Sequence, residues 1–281
     1  MKHKVNNEML INKLKRNNSK RVLTFPSKKS CKNFVNNLFE LLFGFEISRS
    51  PNTRELEKET ERLRKDLELL IFSIIKDKEK AKEHSNIFIK ELPFIYDRLL
   101  NDAEAILDTD PAARTLVEVL VAYPGFFAIF VYRIAHHLFK ADIKILARFF
   151  SEYAHSITGI DIHPGATIGH SFAIDHGTRV VIGETSIIGN HVKIFQGVTL
   201  GAINVSKEKA LMKRHPTVED YVIIYAGATI LGGETTIGKN SIIGGNVWLT
   251  NSVPANCVAY QKSEVHVRDL HPFSEPLNFV I

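Results

Sequence analysis

Cysteine is scarce in this 281-residue chain, and long apolar runs are missing. The two cysteines, Cys31 and Cys257, are too far apart in sequence to suggest a disulfide framework or a metal-ligand spacing, which favours a reducing compartment. The longest apolar runs, such as residues 125–132, are much shorter than the roughly 20 residues of a membrane span. The start of the chain lacks the apolar core and cleavage site of a secretory signal. We therefore expect a cytoplasmic protein that crosses no membrane.

Positive charge is concentrated at the start of the chain. Residues 1–33 hold ten Lys or Arg and one Glu, which leaves 26 basic against 30 acidic residues in the remainder. Such an arm can meet nucleic acid or anionic lipid, but it has one aromatic residue, Phe25, and no recognisable binding module. We predict a solvated extension and no nucleic-acid partner.

The first half of the chain has the apolar spacing of amphipathic helices. Leu63, Leu67, Leu70 and Ile74 recur on one face between charged neighbours, the pattern of a helix that packs on a core. Segments with similar spacing predict helices at residues 34–47, 54–78, 81–107, 111–122, 126–140 and 143–157.

From Ile162 onward the apolar period changes from 3.6 to six residues. The first block has Ile or Leu at 162, 168, 174, 182, 188, 194 and 200, and the second runs through Tyr225, Leu231, Ile237, Ile243 and Leu249, with Tyr225 as a poor fit. Three six-residue sides close one triangular coil, with the aliphatic residue inside and a small residue at the corner. The fold class is therefore α+β: an all-α domain followed by a parallel β-helix of four or five coils.

Two departures from this period predict the functional region. The spacing slips by two residues after Asp175 and His176, and the Lys-rich segment 202–217 has no six-residue period and must form a loop. Loops on a rigid scaffold, and local breaks in a regular pattern, are common places for sites.

The motifs "DIHPGATIG", "IDHGTRVVIGET", "VTLG" and "KRHP", preceded by "DTDPAARTL", resemble those of serine O-acetyltransferases in the hexapeptide acyltransferase superfamily. The resemblance covers roughly residues 100–255 and implies a left-handed β-helix. With the patterns above it divides the chain into a basic arm with a short amphipathic helix (1–50), a helical domain (51–158), a catalytic β-helix (159–256) and a C-terminal tail (257–281).

The resemblance implies that His176 removes the proton from a serine hydroxyl and that Asp161 orients His176. Imidazole can act as a base near neutral pH, and a carboxylate on its far nitrogen fixes the tautomer. The alternative is that His176 is only a turn residue and Asp161 only a cap at the start of a strand.

The resemblance also assigns the substrate's charged groups. Asp110 and Asp175 match the positions that hold the serine ammonium, and Arg214 and His215 match those that contact its carboxylate, for which a guanidinium is suited. Glu184 matches a further family position. Asp110 could instead be a helix N-cap before Pro111, and Arg214 a solvated loop charge.

Acetyl-CoA, the implied co-substrate, lies in this superfamily in a groove between prisms of a trimer. Gly201, Ala202, Ala226 and Gly244 match the positions along its pantetheine arm, although each could serve only as a tight corner. The stretch "VAYQKSEVHVRD" replaces the usual Gly-x-Pro-Ala segment near the adenine, so Lys262 or Arg268 could serve the phosphates instead.

The resemblance further implies partners and regulation. It implies a homotrimer or a dimer of trimers, inhibition by L-cysteine at the serine site, no metal, and docking of the C-terminal Ile281 into O-acetylserine sulfhydrylase.

Three alternatives stay open from the sequence. The first is another hexapeptide acyltransferase with a different hydroxyl or amine acceptor, and the second is a non-catalytic scaffold for the sulfhydrylase. The third is a zinc-dependent γ-class carbonic anhydrase, which would use histidines such as His163, His170, His176 and His191.

Overall fold

The computed structural model describes residues 7–19, 25–44, 52–203 and 212–262. Ile281, Arg268 and most of the loop predicted at 202–217 lie outside the described residues. In the described part, seven helices precede fourteen short strands. The helices are α1 (Glu8–Ser19), α2 (Lys28–Phe43), α3 (Thr53–Ile75), α4 (Lys78–Thr109), α5 (Leu116–Ala122), α6 (Pro124–Lys140) and α7 (Lys144–Thr158).

The basic arm is only partly the solvated extension that its charge predicts. It contains the helix α1, whose residues 7–16 are exposed. It also contains the start of α2, which begins at Lys28 rather than near residue 34 because the Ser27 hydroxyl accepts a hydrogen bond from the Ser30 N–H. α2 buries Phe34 and Leu38 against the helical core. The end of the arm is therefore part of the packed structure.

Helix ends follow local capping chemistry. Asn52 and Glu55 form a reciprocal capping box at the start of α3, and the Asp77 side chain caps α4. These caps satisfy N–H groups that have no partner inside the helix. Within the described residues no single helix has the length and apolar character of a membrane span, although the bent pair α5 and α6 meets those criteria together.

The strands form a left-handed parallel β-helix of about five coils. Sheet A contains β1 (Asp161–Ile162), β4 (Val181–Ile182), β7 (Thr199–Gly201), β10 (Thr229–Leu231) and β13 (Trp248–Leu249). Sheet B contains β2 (Thr167–Ile168), β5 (Ile187–Ile188), β8 (Thr217–Val218) and β11 (Thr236–Ile237). Sheet C contains β3 (Ala173–Asp175), β6 (Lys193–Phe195), β9 (Ile223–Ile224), β12 (Ile242–Ile243) and β14 (Val258–Ala259).

The predicted register is confirmed in the first block and wrong in part of the second. The seven aliphatic residues of the first block are all buried. In the second block, Ile224 and Ile230 are fully buried, whereas Tyr225 is 42% exposed and Leu231 is only partly buried. The reason is one extra residue at Gly232, whose φ of 104° turns the chain before β11 and restores the predicted phase at Ile237.

A buried ion pair joins the helices to the β-helix. The Arg133 guanidinium donates to both carboxylate oxygens of Asp102, at 2.7 and 2.8 Å. It also donates to the carbonyls of Ile168 and Gly169 in the first coil, at 3.2 and 2.7 Å. Asp102 in turn accepts from the Phe172 N–H at 2.9 Å. This network holds the end of α4 against sheet C, where the candidate site lies.

Candidate active site

The turn between β3 and β4 carries the predicted base, and we call residues 175–180 the histidine corner. His176, Gly177 and Arg179 have φ values of 54°, 80° and 66°. The Gly177 N–H donates to the Asp175 carbonyl at 2.6 Å, which closes a tight turn. The two additional residues between Ile174 and Ile182 are thus taken up in this corner, as the slip in the period predicts.

α4 ends at this corner and brings Asp110 to it. The Asp110 carboxylate accepts hydrogen bonds from the Ala112 N–H and the Tyr123 hydroxyl, each at 2.8 Å. The hydrogen bond from Ala112, and to a smaller extent the one from Tyr123, lower the pKa of Asp110. The same bond to Asp110 raises the pKa of Tyr123 to about 12. Asp110 is therefore held as a carboxylate.

Asp110 does not cap a helix that starts at Pro111, so that alternative is wrong. The next helix, α5, begins at Leu116 and is capped by Thr115. Asp110 instead ends α4, and its side chain forms a turn with Ala112. Pro111 has no N–H and fits this turn as well as a helix start.

Asp110 and Asp175 line one narrow cleft, together with Tyr123 and Lys193. The Lys193 ammonium donates to Asp175 Oδ2 at 2.9 Å and to the Thr109 carbonyl at 2.7 Å. The side chains of Asp175 and Lys193 are only 11% and 12% exposed. The structure thus brings together both carboxylates predicted to hold an ammonium group.

His176 and Asp161 lie at the same corner but do not touch. The His176 side chain is 75% exposed, and its Nε2 lies 3.6 Å from Asp175 Oδ1. Asp161 starts β1 beside Val181, and the neighbouring Gly159 carbonyl accepts from the Arg179 N–H at 2.8 Å. Among the described residues no hydrogen bond or ion pair joins Asp161 to His176. The orienting role of Asp161 stays a prediction.

A second cluster lies where sheet A turns into sheet B, and we call residues 183–186 with 212–216 the arginine corner. Arg214 Nη2 lies 2.5 Å from Glu184 Oε2. The Thr185 hydroxyl accepts from the backbone N–H groups of Arg214 and His215, at 2.9 and 3.1 Å. These bonds fix the motif "RHP" to the coil beneath it.

His215 is buried against Gly183, where any side chain at 183 would collide with the imidazole. The His215 Nδ1 accepts from the Thr185 N–H at 3.1 Å, which leaves its proton on Nε2 in the neutral ring. Burial, and then the charges of Arg214 and Lys213, lower the pKa of His215 to about 4. His215 is therefore a neutral imidazole near pH 7.

Glu184 sits between Arg214 and His163. Burial alone would raise the pKa of Glu184, but the hydrogen bond from Arg214 and the charge of its guanidinium hold that pKa below its usual range. Burial, and then the Arg148 charge, lower the pKa of His163 to about 4. The arginine corner thus combines the Glu184 carboxylate, the Arg214 guanidinium and the neutral imidazole of His215, with the neutral His163 one coil earlier.

The residues that match the acetyl-CoA groove lie along two edges of the β-helix. One edge contains the histidine corner and the other contains the arginine corner. Ala226 and Gly244 lie above the histidine corner, at successive turns from sheet C into sheet A. Gly201 ends β7 and Ala202 follows it, on the side of the arginine corner. A side chain at Gly244 would approach Tyr260 at 3.4 Å, and one at Gly201 would meet Leu231 at 2.8 Å. Both glycines thus lie against a neighbouring coil, and their place in the acetyl-CoA groove stays a prediction.

The two corners lie at opposite ends of β4. The sequence motifs suggest one set of site residues, but one chain presents the carboxylates with His176 at one end and Arg214 with His215 at the other. The residues predicted to bind serine therefore form two groups, at two different corners of the β-helix.

Two residues at the site were missed in the sequence. Lys193 pairs in register with Ala173, and Phe195 pairs with Asp175, so residues one coil apart lie side by side. Adding one coil length to Asp175 gives Phe195, and Lys193, two residues before Phe195 on the same outer face of β6, would then have been indicated as a diagonal neighbour. Tyr123 carries no such signal, because its contact with Asp110 depends on how the chain returns after α5.

The histidines considered for zinc are spread over the β-helix. The rings of His170 and His191 meet edge to face, with 4.8 Å between their centres, away from both corners, while His163 and His176 lie at different corners. In the part of the chain that the structure describes, no three His, Cys, Asp or Glu side chains are grouped as metal ligands.

Curated proteins similar in sequence share one description. The chain is 53% identical over 180 residues to "Serine acetyltransferase, plasmid" of Synechococcus elongatus, an alignment that covers 62% of this chain and 56% of that protein. It is 50% identical over 156 residues to serine acetyltransferase of Bacillus subtilis, covering 56% of this chain and 70% of that one. No protein-family model matches the chain.

Solved structures agree with these relatives. Serine acetyltransferase 1 of Entamoeba histolytica in complex with L-cysteine has a TM-score of 0.74 and 35% identity, covering 86% of this chain and 90% of that one. The Brucella abortus enzyme in complex with coenzyme A has a TM-score of 0.60 and 27% identity, covering 83% and 80%. The Neisseria gonorrhoeae enzyme in complex with serine has a TM-score of 0.57 and 27% identity, covering 85% and 96%.

The β-helix, its two polar corners and the preceding helices define an acyltransferase of the hexapeptide class. Within that class, the similar curated proteins are described as serine acetyltransferases. The chain belongs to the serine acetyltransferase family, for which acetyl-CoA is the co-substrate.

Proposed function

We propose that this chain transfers the acetyl group of acetyl-CoA to the hydroxyl of L-serine, giving O-acetyl-L-serine and CoA for cysteine biosynthesis. The observation that carries the proposal is the cleft in which Asp110 and Asp175 lie beside the exposed His176. Two carboxylates suit the ammonium group of an amino acid, and the neighbouring imidazole suits proton removal from its hydroxyl.

In the proposed reaction, the serine ammonium binds Asp110 and Asp175, and its carboxylate meets Arg214 and His215. His176 takes the hydroxyl proton while the serine oxygen attacks the thioester carbon. The tetrahedral intermediate then expels the CoA thiolate, which receives the proton from His176. Asp161 has the predicted role of stabilising the imidazolium.

The separation of the two corners supports a site between subunits. We propose a homotrimer in which the histidine corner of one subunit faces the arginine corner of the next, so that each substrate meets residues of both. Ala226 with Gly244, and Gly201 with Ala202, would then line the two walls of the acetyl-CoA groove. Pairing of trimers into hexamers stays a prediction.

Regulation and partners follow as further proposals. The Entamoeba histolytica complex with L-cysteine supports L-cysteine as an inhibitor that competes at the serine site. We propose docking of Ile281 into O-acetylserine sulfhydrylase from the sequence. We propose a cytoplasmic location because both cysteines are free, which is typical of a reducing compartment.

The test is serine-dependent release of CoA thiol from acetyl-CoA. We expect release by the wild-type protein, and a loss of about 10²- to 10⁴-fold in kcat for His176→Ala. His170→Ala is the matched control, because His170 is an exposed histidine of the same β-helix away from both corners.

Homoserine and glucosamine are tested as alternative acceptors. Release with either of these but not with serine would move the assignment to another hexapeptide acyltransferase. No release with any acceptor would favour the non-catalytic scaffold. Full activity of His176→Ala would refute the role of His176 as base.

A further inference from the structure

Lys193 is a cation inside the cleft proposed to bind a cation. It projects from the outer face of β6, and its aliphatic stem places the ammonium 4.5 Å from the centre of the Phe195 ring. Its ammonium donates to the Thr109 carbonyl at 2.7 Å and to Asp175 Oδ2 at 2.9 Å. Nothing in the mechanism above uses this side chain.

The two hydrogen-bond partners of Lys193 belong to different parts of the fold. Thr109 is the last residue of α4 and precedes Asp110, whereas Asp175 ends β3. The carboxylate of Asp110 has its own hydrogen bonds to Ala112 and Tyr123, which lie in the same segment as Asp110. Among the described residues, Lys193 therefore provides the polar link between the end of α4 and the carboxylate across the cleft.

We propose that Lys193 is a positioning residue for the amino group of the acceptor, because it sets the spacing between Asp110 and Asp175. This inference rests on the proposed function. Lys193 uses Oδ2 of Asp175 and leaves Oδ1 for the substrate ammonium, with the remaining lone pairs of Asp110 on the other side. A fixed spacing between the two carboxylates improves binding because the substrate does not have to order them.

An opposite effect of Lys193 has to be weighed. Its charge reduces the net charge of the cleft from two carboxylates to one, so its removal could also strengthen attraction for a cation. However, without Lys193 the Asp175 carboxylate, which is only 11% exposed, loses its ion-pair partner at 2.9 Å, and it is free to turn towards other donors such as His176 Nε2, which lies 3.6 Å from its Oδ1. The loss of positioning should therefore dominate, and the KM for serine should rise rather than fall.

The experiment compares Lys193→Met, Lys193→Arg and wild type for the KM of L-serine, the KM of acetyl-CoA and kcat. For Lys193→Met we expect the serine KM to rise about 10-fold, with kcat and the acetyl-CoA KM within about 2-fold, since uniform binding is lost. Lys193→Arg should restore most of the serine KM, because it keeps the donor and the charge. Lys239→Met is the matched control, since Lys239 lies over the exposed Tyr221 ring away from the cleft.

Each contrary outcome is distinct. A serine KM that falls or stays unchanged in Lys193→Met overturns the inference, as does a parallel rise in both KM values or a failure of Lys193→Arg to recover. A melting temperature within about 2 °C of wild type separates these outcomes from misfolding. Wild-type protein without serine-dependent CoA release would refute the proposed function itself, and the inference with it.

Discussion

The buried pair of Arg133 and Asp102 offers the sharpest test of how the helices hold the site. The two side chains are 4% and 0% exposed. Replacing Arg133 by Met would leave the Asp102 carboxylate buried with the Phe172 N–H as its remaining donor, and would remove the donors from the carbonyls of Ile168 and Gly169. Breaking a buried pair on one side costs about 3–5 kcal/mol.

For a chain of this size each kcal/mol lowers the melting temperature by about 2–4 °C, so Arg133→Met should lower it by about 6–20 °C. The double variant Asp102→Asn/Arg133→Met should be more stable than Arg133→Met, because no unpaired charge remains and the Asn oxygen can still accept from Phe172. Thermal unfolding followed by circular dichroism measures both.

The exposed pair of Arg62 and Glu59 provides the control. Arg62 is 45% exposed, and Arg62→Met should change the free energy of unfolding by no more than about 0.5 kcal/mol. The reasoning is refuted if Arg133→Met changes the melting temperature no more than Arg62→Met does, or if the double variant is as unstable as Arg133→Met.

Three further predictions concern the two corners. Asp110→Asn should raise the serine KM about 10- to 100-fold, because a charged hydrogen bond is lost, and a comparable rise in the acetyl-CoA KM would contradict this. Gly183→Ala should lower the free energy of unfolding by about 1–3 kcal/mol, because its Cβ would lie 2.0 Å from the His215 ring. An unchanged melting temperature would contradict the close packing of His215 on Gly183. The pKa values of His215 and His163 are lowered to about 4 in the folded protein. Below about pH 6.5 the unfolded chain therefore binds more protons than the folded one, so stability should fall from about pH 6.5 towards pH 4. His215→Asn should flatten this pH dependence of the melting temperature, and an identical slope would show that His215 does not contribute.

The sequence predicted the β-helix well because a six-residue period is a backbone property. Each coil repeats the same buried position, so Ile162 through Leu200 could be placed inside without knowing any long-range contact. The prediction slipped at Tyr225 and Leu231 because one additional residue at Gly232 shifts the phase, and a single insertion leaves no composition signal.

The candidate site was only partly predictable, for a different reason. Motif resemblance supplied Asp110, Asp175 and His176, and the structure places all three at one corner. The motifs could not show that Arg214 lies at the other end of β4, because a sequence motif does not give the positions of its residues in the folded chain. The place of Lys193 near Asp175 follows from the coil length, but its contact with Thr109 depends on the meeting of α4 and β6, which no local pattern encodes.

The regular stacking of the coils has a consequence for how such a protein can change. Asp161 pairs with Val181 and Val181 with Thr199, so neighbouring coils differ in length by two residues without any loss of register. Thr199 pairs with Thr229 in the same way, although the Lys-rich residues 202–217 lie between them in sequence. A scaffold of this kind tolerates additions at its edges while its interior stays unaltered. A longer turn can therefore bring new side chains to the surface of the β-helix, while the repeat of buried aliphatic residues that determines the fold is unchanged.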